Sequence, residues 1–218
     1  MLNTLAAARP LSVALREGTT AEHDAAEHST FMTELLAGRV NARGYGDYLR
    51  RLRMIYLALE DSVRAHRADP LVAAVYDPAL ERRAAIDADL RFWDPQTDPA
   101  APADSPVAAA YRDRIRTADW GGALVAHHYT RYLGDLSGGL AIGKLLGRAF
   151  ELTDGAGLAF YDFPMRPKPY KDGYRSRLDG LGLGPQQIDR AVAEVKVAFT
   201  LNQQLFAELG ENLTQYRR

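Results

Sequence analysis

The chain has 218 residues, of which 47% are hydrophobic and 25% charged, a globular composition long enough for one sizeable core. A formal net charge of −1 gives no electrostatic reason to expect nucleic acid or an anionic membrane as the main partner. Cysteine is absent, which excludes disulfides, thiolate nucleophiles and thiolate-ligated cofactors and fits a cytoplasmic setting.

Residues 1–10 read as a frayed tail ending at Arg9-Pro10, and residues 11–218 as a single domain. Ser12 is placed to cap a helix that runs to about His28 and carries His23. A short apolar helix, Phe31 to Ala37, should stop at Gly38, and Asn41 can start the next one. Tyr48, Leu49, Leu52, Ile55, Tyr56, Leu59 and Val63 then keep helical spacing, with Arg50, Arg51, Arg53, Glu60 and Asp61 largely off the stripe.

Asp77-Pro78 predicts a helix start, with the helix reaching Trp93. Asp94 to Asp104 reads as a loop, and Ser105-Pro106 restarts a helix through Tyr111 and Ile115. After Phe150 the stretch LAFYDFP is expected to be irregular or briefly extended, with Pro164, Pro167 and Pro169 keeping it non-helical. A helix is expected from Lys171 to about Leu178. In the last helix, Ile188, Val192, Val195, Phe199, Leu205, Phe206 and Leu209 form a buried stripe, and Asn202 stands at an otherwise apolar position. No strand alternation or repeat competes, so the chain reads as all-α with about seven or eight helices. No window approaches a membrane span and the N-terminus lacks a secretory leader, so a soluble protein is expected.

The run from Tyr129 to Gly147, YTRYLGDLSGGLAIGKLLG, contains a conflict. Leu133, Leu136, Leu140 and Leu145/Leu146 recur as a buried helical stripe does. Gly134, Gly138, Gly139, Gly143 and Gly147 oppose that helix, forgoing together about 4–5 kcal/mol of helix propensity relative to alanine. Two readings explain them: tight helix–helix packing, or a flat ligand lying on bare backbone beside the lone acid Asp135.

The histidines are the candidate ligands. His28 and His66 read as surface or capping residues, and adjacent His127 and His128 as one core and one exposed. His23 differs because Glu27 lies one helical turn on, the spacing at which a carboxylate orients a metal-bound imidazole. A surface His–Glu pair is the competing reading. The motifs of di-iron bundles, zinc proteases, serine hydrolases and nucleotide-binding loops are missing. One histidine, no thiolate and a glycine-rich helix are together compatible with a haem held by a single imidazole.

The segment AHHYTRYLGDLSGG, Ala126 to Gly139, resembles the distal-helix signature of the haem oxygenases. LREGTTAEHDAAEHSTFM, MIYLALE, YKDGYRSRL and AFTLNQQLFAELG resemble the same family at matching intervals, so the likeness covers about residues 11–210. The resemblance implies a single-domain fold in which haem b lies between a proximal helix and a kinked, glycine-rich distal helix. It implies His23 as the iron ligand, Glu27 as the acid at its other nitrogen, and Gly134, Gly138 and Gly139 as backbone against the haem. Asp135 would anchor the distal water network with Arg131 and Tyr56. Arg16, Tyr129, Lys171 and Arg175 would meet the propionates, and Phe199 would pack on the haem.

The implied reaction is cleavage of haem by O2 to biliverdin, in its alpha isomer, with carbon monoxide and ferrous iron. Electrons would come from a separate ferredoxin or NAD(P)H-dependent reductase. A haem-binding or storage protein on the same fold is the alternative. The likeness is to soluble bacterial members, with no stable membrane anchor. Two departures stand out: Leu140 replaces a polar residue common after Gly-Gly, and the proline-rich MRPKPY precedes the propionate-binding segment.

Overall fold

Two long helices set the frame in the computed structural model, which describes residues 9–218; of the tail expected at residues 1–10, residues 1–8 lie outside the described set. α4 (Ala42–Ala65) and α11 (Pro185–Glu211) bury the stripes that their spacing predicts. α4 packs against α6 (Arg83–Trp93) and α7 (Pro106–Arg116), and α11 against α2 (Thr20–Glu27), α3 (Thr30–Leu36), α7 and α8 (Gly121–His128). No strand occurs among the described residues; an isolated bridge joins Val40 to Arg217 beside the short helix α12 (Leu213–Tyr216).

Local signals held where the partners are local. The Asn41 side chain accepts from Gly44 N–H at 2.9 Å and Ser105 from Ala108 N–H at 3.0 Å, each at a helix start. α3 is followed, after its cap Ala37, by Gly38 at φ +69°, where glycine is free of the Cβ penalty.

Twelve α-helical segments occur among the described residues, more than expected, because several of the expected runs are interrupted. The helix expected from Ser12 to His28 is two: α1 (Leu11–Gly18) and α2, broken at Thr19 (φ −130°), whose hydroxyl bonds the Leu15 carbonyl at 2.7 Å. Ser12 is no cap. It lies inside α1, and both its N–H and its hydroxyl donate to Asp179 of α10 (Pro167–Asp179), at 2.8 and 2.9 Å.

Asp77-Pro78 starts only a 3₁₀ turn, Pro78–Leu80. The chain extends at Glu81, and α6 begins where the buried Glu60 carboxylate accepts from Arg82 and Arg83 N–H, at 2.6 and 3.2 Å. The four-residue α5 (Pro70–Ala73) precedes it, capped by Asp69. α10 starts four residues before the expected Lys171, because Pro167 and Pro169 occupy its first turn, where no intrahelical N–H is needed. LAFYDFP contains a 3₁₀ turn, Ala159–Tyr161, followed by Asp162 in extended conformation. The off-stripe arginines of α4 are buried rather than solvated: Arg50, Arg51 and Arg53 pair with Asp94, Glu208 and Asp87.

The glycine-rich run is helical throughout but not uniformly α. Tyr129–Leu133 and Asp135–Gly139 wind as π turns between α8 and α9 (Leu140–Ala149). The Thr130 and Ser137 hydroxyls bond the Ala126 and Leu133 carbonyls, at 2.9 and 2.6 Å, which loosens the ladder where glycines already permit bending.

Candidate functional site

A cavity of about 400 Å³ opens between α1/α2, α11 and the π-wound stretch. The break at Thr19 turns α2 so that His23 lines this cavity, with Arg16 one helix earlier at its rim. The His23 ring stands edge-on to Phe199 of α11, centroids 5.7 Å apart at 76°, and its Nδ1 lies 3.7 Å from Asp24 Oδ1. The Glu27 side chain falls outside the described residues.

The facing wall is backbone. Gly134 and Gly138 line the cavity, and a Cβ built on either would find no atom within 4 Å beyond the helix's own backbone. Tyr129, Arg131, Asp135 and Gly139 line the cavity from the same stretch. A site with one imidazole and a bare patch of helix fits a flat ring with a single axial ligand. No group of three or more histidine or acidic side chains able to hold a bare metal ion occurs among the described residues.

Behind the bare patch, charges and hydroxyls are joined. Tyr56 O–H donates to Asp135 Oδ2, and Arg131 Nε–H donates to the Tyr56 oxygen at 3.2 Å. A second Arg131 N–H donates to Asn202 Oδ1 at 2.8 Å, and the guanidinium stands 3.7 Å from Asp135 Oδ1. Burial raises the Asp135 carboxyl above its ordinary value, with Arg131 and the Tyr56 hydrogen bond opposing it. Burial likewise pushes the Tyr56 hydroxyl well up, so it remains a donor.

Tyr56 itself does not line the cavity; it stands behind the wall, hydrogen-bonded to the lining residue Asp135. Lys171 does not line it either. Its ammonium donates to Ser137, a lining residue, at 2.9 Å, and burial with neighbouring Arg175 lowers its pKa. Arg175 lines the cavity and pairs with Asp172 at 3.2 Å. Arg16 and Arg175 thus stand at the rim, with Lys171 beside it on Ser137.

The sequence reading omitted Tyr48, Phe160, Tyr161, Asn202 and Phe206, all cavity-lining. Asn202 had a visible signal, one amide in an apolar stripe. Phe160 and Tyr161 had none, because a 3₁₀ turn has no hydrophobic period to read. His127 and His128 are both buried, against the expectation of one exposed: His127 Nε2 meets Glu194 at 3.0 Å, and His128 Nδ1 meets Tyr174 Oη at 2.9 Å. Burial would raise the Glu194 carboxyl, but His127 and Arg114 outweigh it and hold it down at about 2.

The sequence profile of the family described as Heme oxygenase matches residues 9–208. The heme oxygenase of Pyropia yezoensis is 37% identical over 97% of this chain and 88% of its own length. Among solved structures, heme oxygenase-1 of the cyanobacterium Synechocystis, in complex with heme, superposes with a TM-score of 0.89 at 35% identity, covering 95% of both chains. Heme oxygenase from Leptospira interrogans superposes at 0.87 with 34% identity, over 92% of this chain and 100% of that one.

Proposed function

The chain belongs to the haem oxygenase family, and from that premise we propose that it binds haem b in the cavity and cleaves it to biliverdin, carbon monoxide and ferrous iron. The observation that carries the reading is the convergence of His23, the bare backbone of Gly134 and Gly138, and Asp135 on one cavity. When bound, the haem supplies both the iron that activates oxygen and the ring that is oxidised.

His23 is the proposed iron ligand. As a neutral imidazole it would hold the iron without the electron push that a thiolate gives. Gly134 and Gly138 keep the space above the ring free of side chains. Asp135 holds a proton more readily than an exposed aspartate and passes hydrogen bonds through ordered water, its carboxylate aimed by Tyr56 and Arg131. Asn202 fixes Arg131 in turn. Arg16, Lys171 and Arg175 are the proposed propionate partners, with Tyr129, and they favour the alpha isomer by fixing ring rotation. Phe199 and Gly139 complete the contact, and Glu27 is the proposed partner of the second His23 nitrogen.

Residues 11–218 are proposed to form one catalytic domain, acting in the cytoplasm with electrons from a ferredoxin or NAD(P)H-dependent reductase. No helix among the described residues is long and apolar enough to cross a membrane. Haem-loaded protein given reductant and oxygen should yield a biliverdin spectrum, and persistent intact haem would sink the reading. Asp135→Ala should bind haem yet yield little biliverdin, and His23→Ala should lose the axial-histidine signature in resonance Raman.

A further inference from the structure

Two tyrosines hold α10 in place one residue behind its rim cations. Tyr170 precedes Lys171 and Tyr174 precedes Arg175, and the two tyrosines lie one turn apart on the same helix face. Tyr170 O–H donates to Asp77 Oδ2 at 2.7 Å. The Tyr174 hydroxyl lies 2.9 Å from His128 Nδ1, with the two rings stacked at 9°.

Tyr174 and His128 are buried, at 0% and 3% exposure, and neither lines the cavity. Burial pulls the His128 imidazole down to about 3, so both partners are uncharged at neutral pH. The chemistry proposed above uses neither residue. Yet His128 immediately precedes Tyr129, the first residue of the π-wound wall, as Tyr174 immediately precedes Arg175. Their bond joins the helix bearing the bare wall to the helix bearing the rim cations. A rotation or one-residue slide of α10 would leave a buried phenol and a buried imidazole without each other.

We propose that the His128–Tyr174 pair sets which edge of the bound ring is opened, by fixing the register of Lys171 and Arg175 against the distal wall. The proposal rests on the haem-cleaving reading and deepens it. Both are positioning residues that do not touch the substrate.

His128→Leu, Tyr174→Phe and His128→Asn, each loaded with haem, provide the test. Product isomers are separated after reductant and oxygen are added. The haem-methyl proton shifts of the cyanide-bound ferric form report ring rotation without turnover. His128→Leu and Tyr174→Phe should still release biliverdin, with the minor isomer raised about tenfold, a factor within reach of one lost buried hydrogen bond. A second set of haem-methyl signals should accompany it. His128→Asn, whose amide can stand where Nδ1 stood, should return both readouts towards the unaltered pattern.

Unchanged isomers and unchanged methyl signals in folded His128→Leu and Tyr174→Phe overturn the proposal. If His128→Leu does not fold, Tyr174→Phe decides alone, since it removes one oxygen atom. If the unaltered chain binds haem but makes no biliverdin, the function reading falls and the methyl pattern decides the positioning role. If it binds no haem, both fall.

Discussion

Gly134 and Gly138 differ from Gly139 and Gly143 in what one added carbon would meet. A Cβ at the first two finds no atom within 4 Å, whereas at the second two it meets the Tyr161 ring or its Cβ, at 3.0 and 3.3 Å. Glycines that look alike in sequence therefore answer two demands. One pair keeps a wall bare where it borders the cavity; the other lets the 159–161 turn press against the helix. Gly139 serves both, since it also lines the cavity. The first demand concerns what binds and the second how the helix is held, so the two should be separable by mutation.

The largest effect is expected where the wall is bare. Gly138→Leu adds four carbons at a cavity-lining position where a Cβ meets nothing beyond the helix's own backbone, so the fold should survive while haem affinity falls by at least about a hundredfold, a ~3 kcal/mol exclusion. Haem titration followed in the Soret region, beside circular dichroism of the free protein, separates the two. Unchanged affinity would mean that the ring does not lie on this patch.

The packed side runs through Asp89, which is 1% exposed and accepts from Ala159 and Phe160 N–H, both at 2.8 Å. Burial raises its carboxyl from 3.8 to about 6 despite those two donors. A folded pKa above the unfolded one means that its contribution is complete below about pH 4 and is lost as pH rises through 6. Asp89→Asn cannot titrate. The stability difference between native protein and variant should therefore move in the variant's favour by up to about 3 kcal/mol between pH 4 and pH 7, read from urea midpoints. A pH-independent difference would remove Asp89 as a titrating support of the turn.

Sequence legibility follows the same division between local and distant causes. The stripes of α4 and α11 and the Asn41, Ser105 and Gly38 boundaries were readable because each depends on neighbours within a turn. The break at Glu81 and the anchoring of Ser12 were not, because they depend on partners, Glu60 and Asp179, far along the chain. The buried arginines of α4 were unreadable for the same reason. The conflict in the glycine run was visible, but its π winding was not, since the glycine and leucine spacing alone suits an α-helix as well as a π turn. In the cavity, His23 and Asp135 stood out by spacing only weakly, and family likeness singled them out. Asn202 was legible as a lone amide, and Tyr161 was not legible at all.

The smallest effects make the finest division, in the ligand-free protein. Gly134 sits at φ −61°, ψ −52° and Gly139 at φ −58°, ψ −40°, both helical values that alanine adopts without strain. Alanine should therefore gain up to about 1 kcal/mol of propensity at either position. At Gly134 nothing opposes that gain, so Gly134→Ala should raise the urea midpoint slightly. At Gly139 the new methyl stands 3.0 Å from Tyr161 Cδ1, and the ring has little room to swing, because the turn is held by Asp89 and Tyr161 Cβ already lies against Gly143. Overpacking of about 1–3 kcal/mol should exceed the gain, and Gly139→Ala should lower the midpoint. In a Tyr161→Leu background the clash is relieved and the effect at Gly139 should turn towards that at Gly134. Loss at both positions regardless of Tyr161 would mean that the π winding itself demands glycine, and the division between a bare face and a packed face would collapse into a single backbone requirement.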